Sequence, residues 1–475
     1  MIHRNLKLKV LPIALASAVA LTGASSFTLS AEAKAPGNNQ GKAPEHSQGK
    51  GKGGNKDEVK NVIFLIGDGV GTSYTSAYRY LQDDASTKLV EDMSFDSYLV
   101  GQQSTYPEDP AQNITDSASS ATAMAAGIKT YNNAIAVDND ESEVKTVLEA
   151  AKEKGKATGL VATSEITHAT PASFGAHDIA RKNMNAIADD YYDELIDGEH
   201  KVDVLLGGGI DLFERTDRDL TEEFQKDGYS YITGREQLLS NDDEQVLGLF
   251  APAGLPKMID RDDSIPSLAD MTESAIDRLS EEEDGFFLMV EGSQVDWAGH
   301  DNDIVGAMSE MEDYDQAFQA AIKFAEEDGN TLVVATADHS TGGFSIGSDG
   351  IYNWFGEPIK AAKRTPDFMA EKIIGGAGVE ETLSKYIDLD LTAEEIDAVK
   401  KAAAGGNFTA IDNSIEKIFD KRSHTGWTTG GHTGEDVPVY AYGPASEKFA
   451  GQLDNTDHAK IIFDLLKAKV EIDDK

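Results

Sequence analysis

Residues 61–71 read NVIFLIGDGVG: five consecutive large apolar side chains, then a glycine, an aspartate and two more glycines around a valine. A run without polar alternation leaves no face for water. It fits a strand buried on both sides, as in a parallel sheet covered by helices. Asp68 then stands at the carboxyl end of that strand, which is where open α/β sheets bind their ligands. Alone, an aspartate in this position is an ordinary turn or helix cap. What else the chain brings to the same edge decides its role.

Five further runs have the same character: GLVAT (159–163), DVLLGG (203–208), FFLMVEG (286–292), TLVVATA (331–337) and VPVYAYG (437–443). Helical patterns at 267–280, 306–325 and 456–468 lie between or after them. This alternation predicts an α/β fold with a mostly parallel central sheet flanked by helices. Residues from about 348 to 423 break the rhythm with short helices and no strong strand, and Thr392 with Glu395 makes a capping-box pair there. They are expected to form an inserted cap within a domain spanning 57–475.

The strand ends carry more than Asp68. FFLMVEGSQVDWAGH delivers Glu291, Asp296 and His300, TLVVATADHSTGG delivers Asp338 and His339, and His432 precedes the last apolar run. Each is weak evidence by itself, since a lone histidine is usually a satisfied polar residue. Together they place three aspartates, one glutamate and three histidines with almost no lysine nearby. Such a cluster repels itself unless cations bind, and mixed aspartate and histidine ligation suits zinc.

Residues 115–127 read TDSASSATAMAAG, an acid followed by hydroxyls and alanines. Asp116 or Thr115 can cap a helix from about 117 to 126, and Gly127 can end it in the left-handed conformation. A first turn without bulk also leaves N–H groups and the positive end of the helix dipole open to an anion. Ser117 is therefore either part of a cap or a nucleophile. With two zinc ions nearby to lower the pKa of its hydroxyl, it would need no histidine base.

The chain has 475 residues and no cysteine, so neither a disulfide nor lipid attachment through cysteine is available. Arg4, Lys7 and Lys9 precede the apolar run 10–20, and Ala31-Glu32-Ala33 supplies a small-x-small cleavage pattern, so residues 1–33 read as a secretory signal peptide. Residues 34–56, rich in Gly, Asn, Gln and Lys, read as a flexible basic leader. Beyond the leader, 82 acids face 34 bases, a net of −48. That charge opposes nucleic-acid binding and favours solubility; halophilic adaptation and the ordinary acidity of a secreted protein both fit it.

Six motifs in register, GDGVG, TDSASSATAMAAG, THATPASFGAHDIARK, VEGSQVDWAGH, TADHSTGG and GGHTG, resemble those of the bacterial alkaline phosphatases, from about Asn61 to Pro444. The resemblance implies a secreted enzyme that hydrolyses phosphate monoesters broadly, with Ser117 as the nucleophile that becomes phosphoserine. It implies two zinc ions, one held by Asp296, His300 and His432 and the other by Asp68, Asp338 and His339, and one magnesium ion shared by Asp68, Glu291 and Thr170. Arg181 matches the phosphate clamp, and Asp116 could hold its planar fork in place. Thr170 also precedes a proline, and Arg181 could be a surface ion pair, so each keeps an ordinary reading. His168 and Trp297 stand where the best-known enteric pattern has an aspartate and a lysine near magnesium and phosphate. Histidine could bind the third metal directly, which leaves that metal's identity open. The sequence also leaves monomer and homodimer open. A phosphodiesterase, sulfatase or phosphate mutase of the same superfamily is the near rival, and an exported cation or phosphate scavenger the distant one. His424, in SHTGW, imitates the motif at His432 and is read as a loop histidine.

Overall fold

The computed structural model describes residues 59–84 and 86–470. The expected signal peptide and leader lie outside them. Ten strands form the main sheet: β1 (Asn61–Gly67), β2 (Leu99–Ser104), β3 (Ala157–Glu165), β4 (Val204–Gly208), β5 (Ser230–Ile232), β6 (Val246–Leu249), β7 (Phe286–Gly292), β8 (Thr331–Ala337), β9 (Val437–Tyr442) and β10 (Gly451–Asp454). Their spatial order is β10-β2-β9-β8-β1-β7-β3-β4-β6-β5. β9 pairs antiparallel with both β8 and β2, and every other pairing is parallel.

All seven residues of β1 are buried, because the strand lies at the centre with β8 and β7 on either side. Val62, Phe64 and Ile66 point into one apolar layer and Ile63 and Leu65 into the other. Full burial of each such side chain contributes about 1.5–3 kcal/mol. The first layer includes α2 (Ser117–Ala126), α3 (Ala169–Gly175) and α9 (Thr456–Leu465). The second includes α1 (Thr72–Gln82), α4 (Leu268–Leu279) and α6 (Ile304–Asp328). Ser267 and Asp270 start α4 with a reciprocal capping box.

The six apolar runs are β1, β3, β4, β7, β8 and β9. The other four are the outer two strands on each side, with β10 and β5 at the edges, and β2 and β10 are largely polar and partly exposed, so they carry no continuous apolar signature. β5 and β6 are only three and four residues long. The helix expected at 456–468 stops at Leu465, while that expected at 306–325 extends to Ile304–Asp328.

Between the antiparallel pair Ser345–Ile346 and Thr425–Gly426 the described chain is helical, with segments at 357–360, 366–374 (α7), 379–386, 393–404 and 408–423 (α8). Thr392 and Glu395 close their capping box at the start of the fourth segment. Ile411, Ile415 and Met369 join the second apolar layer. His424 ends α8 with a left-handed backbone (φ 62°), and among the described residues it belongs to no group of converging carboxylate and imidazole atoms, unlike His432.

Candidate active site

The carboxyl ends of β8, β1, β7 and β3 are adjacent, and they bring the separated motifs together. Asp68 follows β1, Glu291 is the penultimate residue of β7, and Asp338 and His339 follow β8. Asp296 and His300 lie one turn apart on α5 (Gln294–Asp301), which starts directly after β7. His432 is delivered by a two-residue pair in which it faces Thr341. Gly69 allows the close approach of the β1 loop to α5: its φ is +75°, and a Cβ there would lie 2.7 Å from the Asp296 Cα.

One group converges on Asp296. The Nε2 atoms of His300 and His432 lie 3.4 and 3.5 Å from its carboxylate oxygens and 3.1 Å from each other. Each Nδ1 is spoken for by a backbone carbonyl, that of Gly430 at 2.7 Å for His300 and that of Thr115 at 2.8 Å for His432. If both Nδ1 atoms carry the donated proton, both Nε2 lone pairs face the same point, which is the arrangement of paired metal ligands. Thr341 Oγ1 donates to Asp296 Oδ1.

A second group holds Asp68, Asp338 and His339, all fully buried. His339 Nε2 is 3.5 Å from Asp68 Oδ1 and 3.1 Å from Asp338 Oδ2. The other Asp338 oxygen accepts the N–H groups of Gly69 and His339. No hydrogen bond reaches either oxygen of Asp68, nor Asp338 Oδ2. Buried carboxylate oxygens without donors are costly, and a cation removes that cost. The donor set therefore fits bound metal ions.

Asp68 also belongs to a third group with His168 and Glu291, whose ligand atoms lie within 4.8 Å of one another. Glu291 Oε2 accepts from Ser293 at 2.6 Å and Ser164 at 3.2 Å, while Glu291 Oε1 and the buried Thr170 hydroxyl have no hydrogen-bond partner. Trp297, next to Asp296, sets its ring edge-on to His168 with centroids 5.8 Å apart.

The electrostatics follow from burial and neighbours. Burial, then Asp338, Asp296 and Glu291, push Asp68 far above the usual carboxylate range. Burial likewise raises Glu291 to about 7. Burial opposes ionisation of Asp296, but hydrogen bonds from His300 and His432 hold it well below its ordinary value. The hydrogen bond to Asp296 raises His300 to about 9, and burial, then Arg181, drives His168 down to about 3. A neutral His168 has a single imidazole lone pair, and in this structure the Arg181 guanidinium faces it at Nε2.

Ser117 is the first residue of α2, and its Oγ lies 3.2 Å from His339 Nε2. Asp116 precedes it with three tasks. Its Oδ1 accepts from Ser119 N at 3.0 Å and caps the helix, and its Oδ2 accepts from Asn133 N at 3.0 Å and Arg181 NH1 at 3.1 Å. The other Arg181 terminal nitrogen is 3.0 Å from His168 Nε2. The Arg181 backbone N–H donates to the Asn133 carbonyl, so the loop is tied to Asn133 while the side chain is tied to Asp116, whose Oδ2 also accepts from Asn133 N.

The sequence alone does not single out Thr341, Ser164, Ser293 and Asn133. Thr341 and Ser293 lie inside quoted motifs, two residues after His339 and Glu291, so spacing offered a signal. The carbonyls of Thr115 and Gly430 carry none, because backbone groups belong to every residue.

The chain is similar to known proteins over most of its length. A family model described as alkaline phosphatase matches residues 59–468. Alkaline phosphatase 3 of Bacillus subtilis is 67% identical over 470 residues, covering 98% of this chain and 99% of that protein. A crystal structure of a cold-active alkaline phosphatase from a psychrophilic Shewanella has a TM-score of 0.81 and 42% identity, covering 86% of this chain and 99% of that one. A histidine-to-aspartate mutant of the Antarctic TAB5 alkaline phosphatase, described with magnesium bound in its M3 site, has a TM-score of 0.64 and 31% identity, covering 87% and 99%.

Proposed function

The chain belongs to the alkaline phosphatase family, a family of phosphomonoester hydrolases, and we propose on that premise that Ser117 carries its reaction through a phosphoserine intermediate. The observation that supports this most is the position of the Ser117 hydroxyl at the first residue of α2, 3.2 Å from His339 Nε2, which itself lies 3.5 Å from Asp68 and 3.1 Å from Asp338.

Ser117 Oγ attacks the phosphorus, the bond from phosphorus to the alcohol oxygen breaks, and the alcohol leaves. Water then breaks the phosphoserine bond and releases inorganic phosphate. Arg181 presents a planar fork to two phosphate oxygens, and Asp116 keeps it aimed. The unpaired N–H groups of the first turn of α2 face the same anion.

Asp296, His300 and His432 would hold one zinc ion, and Asp68, Asp338 and His339 the other. Asp68, Glu291 and Thr170 would hold the third metal, with His168 as a further ligand. Bound there, the metals supply Lewis-acid charge and lower the pKa of coordinated hydroxyls. An imidazole in the third group softens its donor set relative to carboxylates alone. We assign magnesium to it; the TAB5 protein described with magnesium in its M3 site is a variant in which a histidine has become aspartate.

The substrates are phosphate monoesters of varied alcohols, because the contacts named here grip phosphate and leave the alcohol side free. Residues 1–33 direct secretion, and no helix among the described residues is long and apolar enough to cross a membrane. Residues 348–423 form a cap.

Ser117→Ala tests the nucleophile. Turnover of a chromogenic phosphomonoester should fall to near background, while zinc content and circular dichroism stay at wild-type values. Wild-type turnover in the variant would end the assignment.

A further inference from the structure

Away from Ser117, the carboxyl end of α5 meets α7 and α8 at a second concentration of acid. Asp301 is the last residue of α5, Asp303 caps α6, Asp367 opens α7, and Asp412 and Glu416 lie one turn apart on α8. Carboxylate oxygens of Asp301, Asp367 and Asp412 lie within 4.8 Å of one another. Lys257 answers part of this charge, with Nζ 3.0 Å from Asp367 and 3.5 Å from Asp303. Its ammonium reaches neither Asp412 nor Glu416 by an ion pair.

Acid clusters are common without a ligand. Here two oxygens inside the protein say more. Asp412 is 1% exposed and Glu416 5% exposed, and Asp412 Oδ1 and Glu416 Oε1 have no hydrogen-bond partner. Burial, followed by the neighbouring carboxylates, pushes Asp412 up to about 8 and Glu416 up to about 10. A proton would cancel the charge but would leave Asp412 Oδ1 without a partner. A cation supplies one.

We propose that Asp301, Asp367 and Asp412, with Glu416 behind them, form a site for a hard divalent cation, calcium or magnesium, that fastens α7 and α8 to the carboxyl end of α5. The donors are all oxygen, with no imidazole or sulfur, which selects hard cations over zinc. Asp301 and Asp367 are half-buried, so the ion has a way in from solvent. The negative end of the α5 dipole adds to the attraction. Because α5 also carries Asp296 and His300, the ion would brace the helix that holds part of the catalytic cluster while touching none of that cluster.

The test uses zinc-loaded holoenzyme, dialysed free of other divalent ions and titrated separately with calcium chloride and magnesium chloride, beside Asp412→Asn and Asp367→Asn. Calorimetric stoichiometry and thermal melts are read, so the outcome does not depend on turnover. Wild type should take up one more cation per chain than either variant, and its melting temperature should rise with the ion while theirs does not. Equal stoichiometry in wild type and both variants would overturn the proposal. So would an equal rise reproduced by sodium chloride at matched ionic strength, which would reduce the effect to screening. Asp367 is half-buried near a helix start, so its variant keeps the test decisive if Asp412→Asn fails to fold.

Discussion

The cluster around Ser117 and a second cluster formed by Glu149, His177 and Glu194 are built from the same donors. In both, carboxylate and imidazole atoms lie within 4.8 Å of one another. They differ in where the positive charge comes from. In the second, Lys201, 1% exposed, pairs with Glu194 and lies 3.6 Å from Glu149, and His177 reaches Glu194 at 3.4 Å. The chain carries its own cation there. Around Ser117, Arg181 pairs with Asp116 but with none of Asp68, Glu291, Asp296 or Asp338, and both Asp68 oxygens lack donors. The two clusters therefore share the proximity of ligand-type atoms and differ in the unanswered buried charge, which belongs to the cluster around Ser117 alone of the two.

The widest separation between the two clusters should come from chelation. Exhaustive dialysis against a chelator should abolish phosphatase activity and lower the melting temperature, because Asp68, Glu291, Asp296 and Asp338 lose their counter-charge. Metal-free protein with unchanged activity and melting temperature would erase the distinction.

Replacing the internal cation is the converse experiment. Lys201→Met leaves Glu149 and Glu194 facing each other with only His177 between them, and should destabilise the fold by about 3 kcal/mol in urea unfolding. That is the low end for a broken buried pair, since Glu194 is one-third exposed. A loss below about 0.5 kcal/mol would show that Lys201 is dispensable.

Arg181→Ala tests the charge that belongs to substrate rather than to the cluster. Catalytic efficiency should fall roughly 10- to 1,000-fold, with weaker inhibition by inorganic phosphate, as expected for a lost bidentate contact. Unaltered phosphate inhibition would place Arg181 outside the site.

A smaller effect sharpens the comparison through pH. Burial opposes protonation of His177, yet Glu194 and then Glu149 raise its pKa despite Lys201, and Asp190, itself pushed up to about 6, also faces it. A raised histidine pKa stabilises fully below the unfolded value of about 6.5 and is lost as pH rises through the folded one. His177→Gln should flatten that part of the stability profile, measured by urea unfolding between about pH 6 and about pH 9. An unchanged slope would remove His177 from the network.

Much of this was legible beforehand for a simple reason. Central strands such as β1 and β8 are buried on both faces and must be apolar throughout, so they announce themselves, and the ligands follow at their ends. The outer strands β2 and β10 are partly exposed and largely polar, and they read like loops. Asp116 illustrates the limit at the site: a cap is visible in TDSASS, but its simultaneous hold on Asn133 and Arg181 joins residues far apart in sequence. Of the Glu149, His177, Glu194 and Lys201 network only His177 falls inside a quoted motif, and nothing in that motif points from it to the other three.

The net charge of residues 57–475 sets the smallest expected effect and spreads it over the whole surface. Screening lengths shrink from about 30 Å at 0.01 M salt to about 3 Å at 1 M, so the melting temperature should rise with sodium chloride at saturating zinc and magnesium. A flat or falling curve would leave the acidity without a role in stability.

Every residue of α2 from Ser117 to Ala126 is buried. No side of this helix is wetted, so it cannot fray into solvent turn by turn as a surface helix does. Its interior amides should exchange with deuterium only when the whole domain opens, among the slowest in the molecule. The serine at its head is then held in place by the full unfolding free energy rather than by a local contact. Its alignment to phosphate should persist until the protein itself melts.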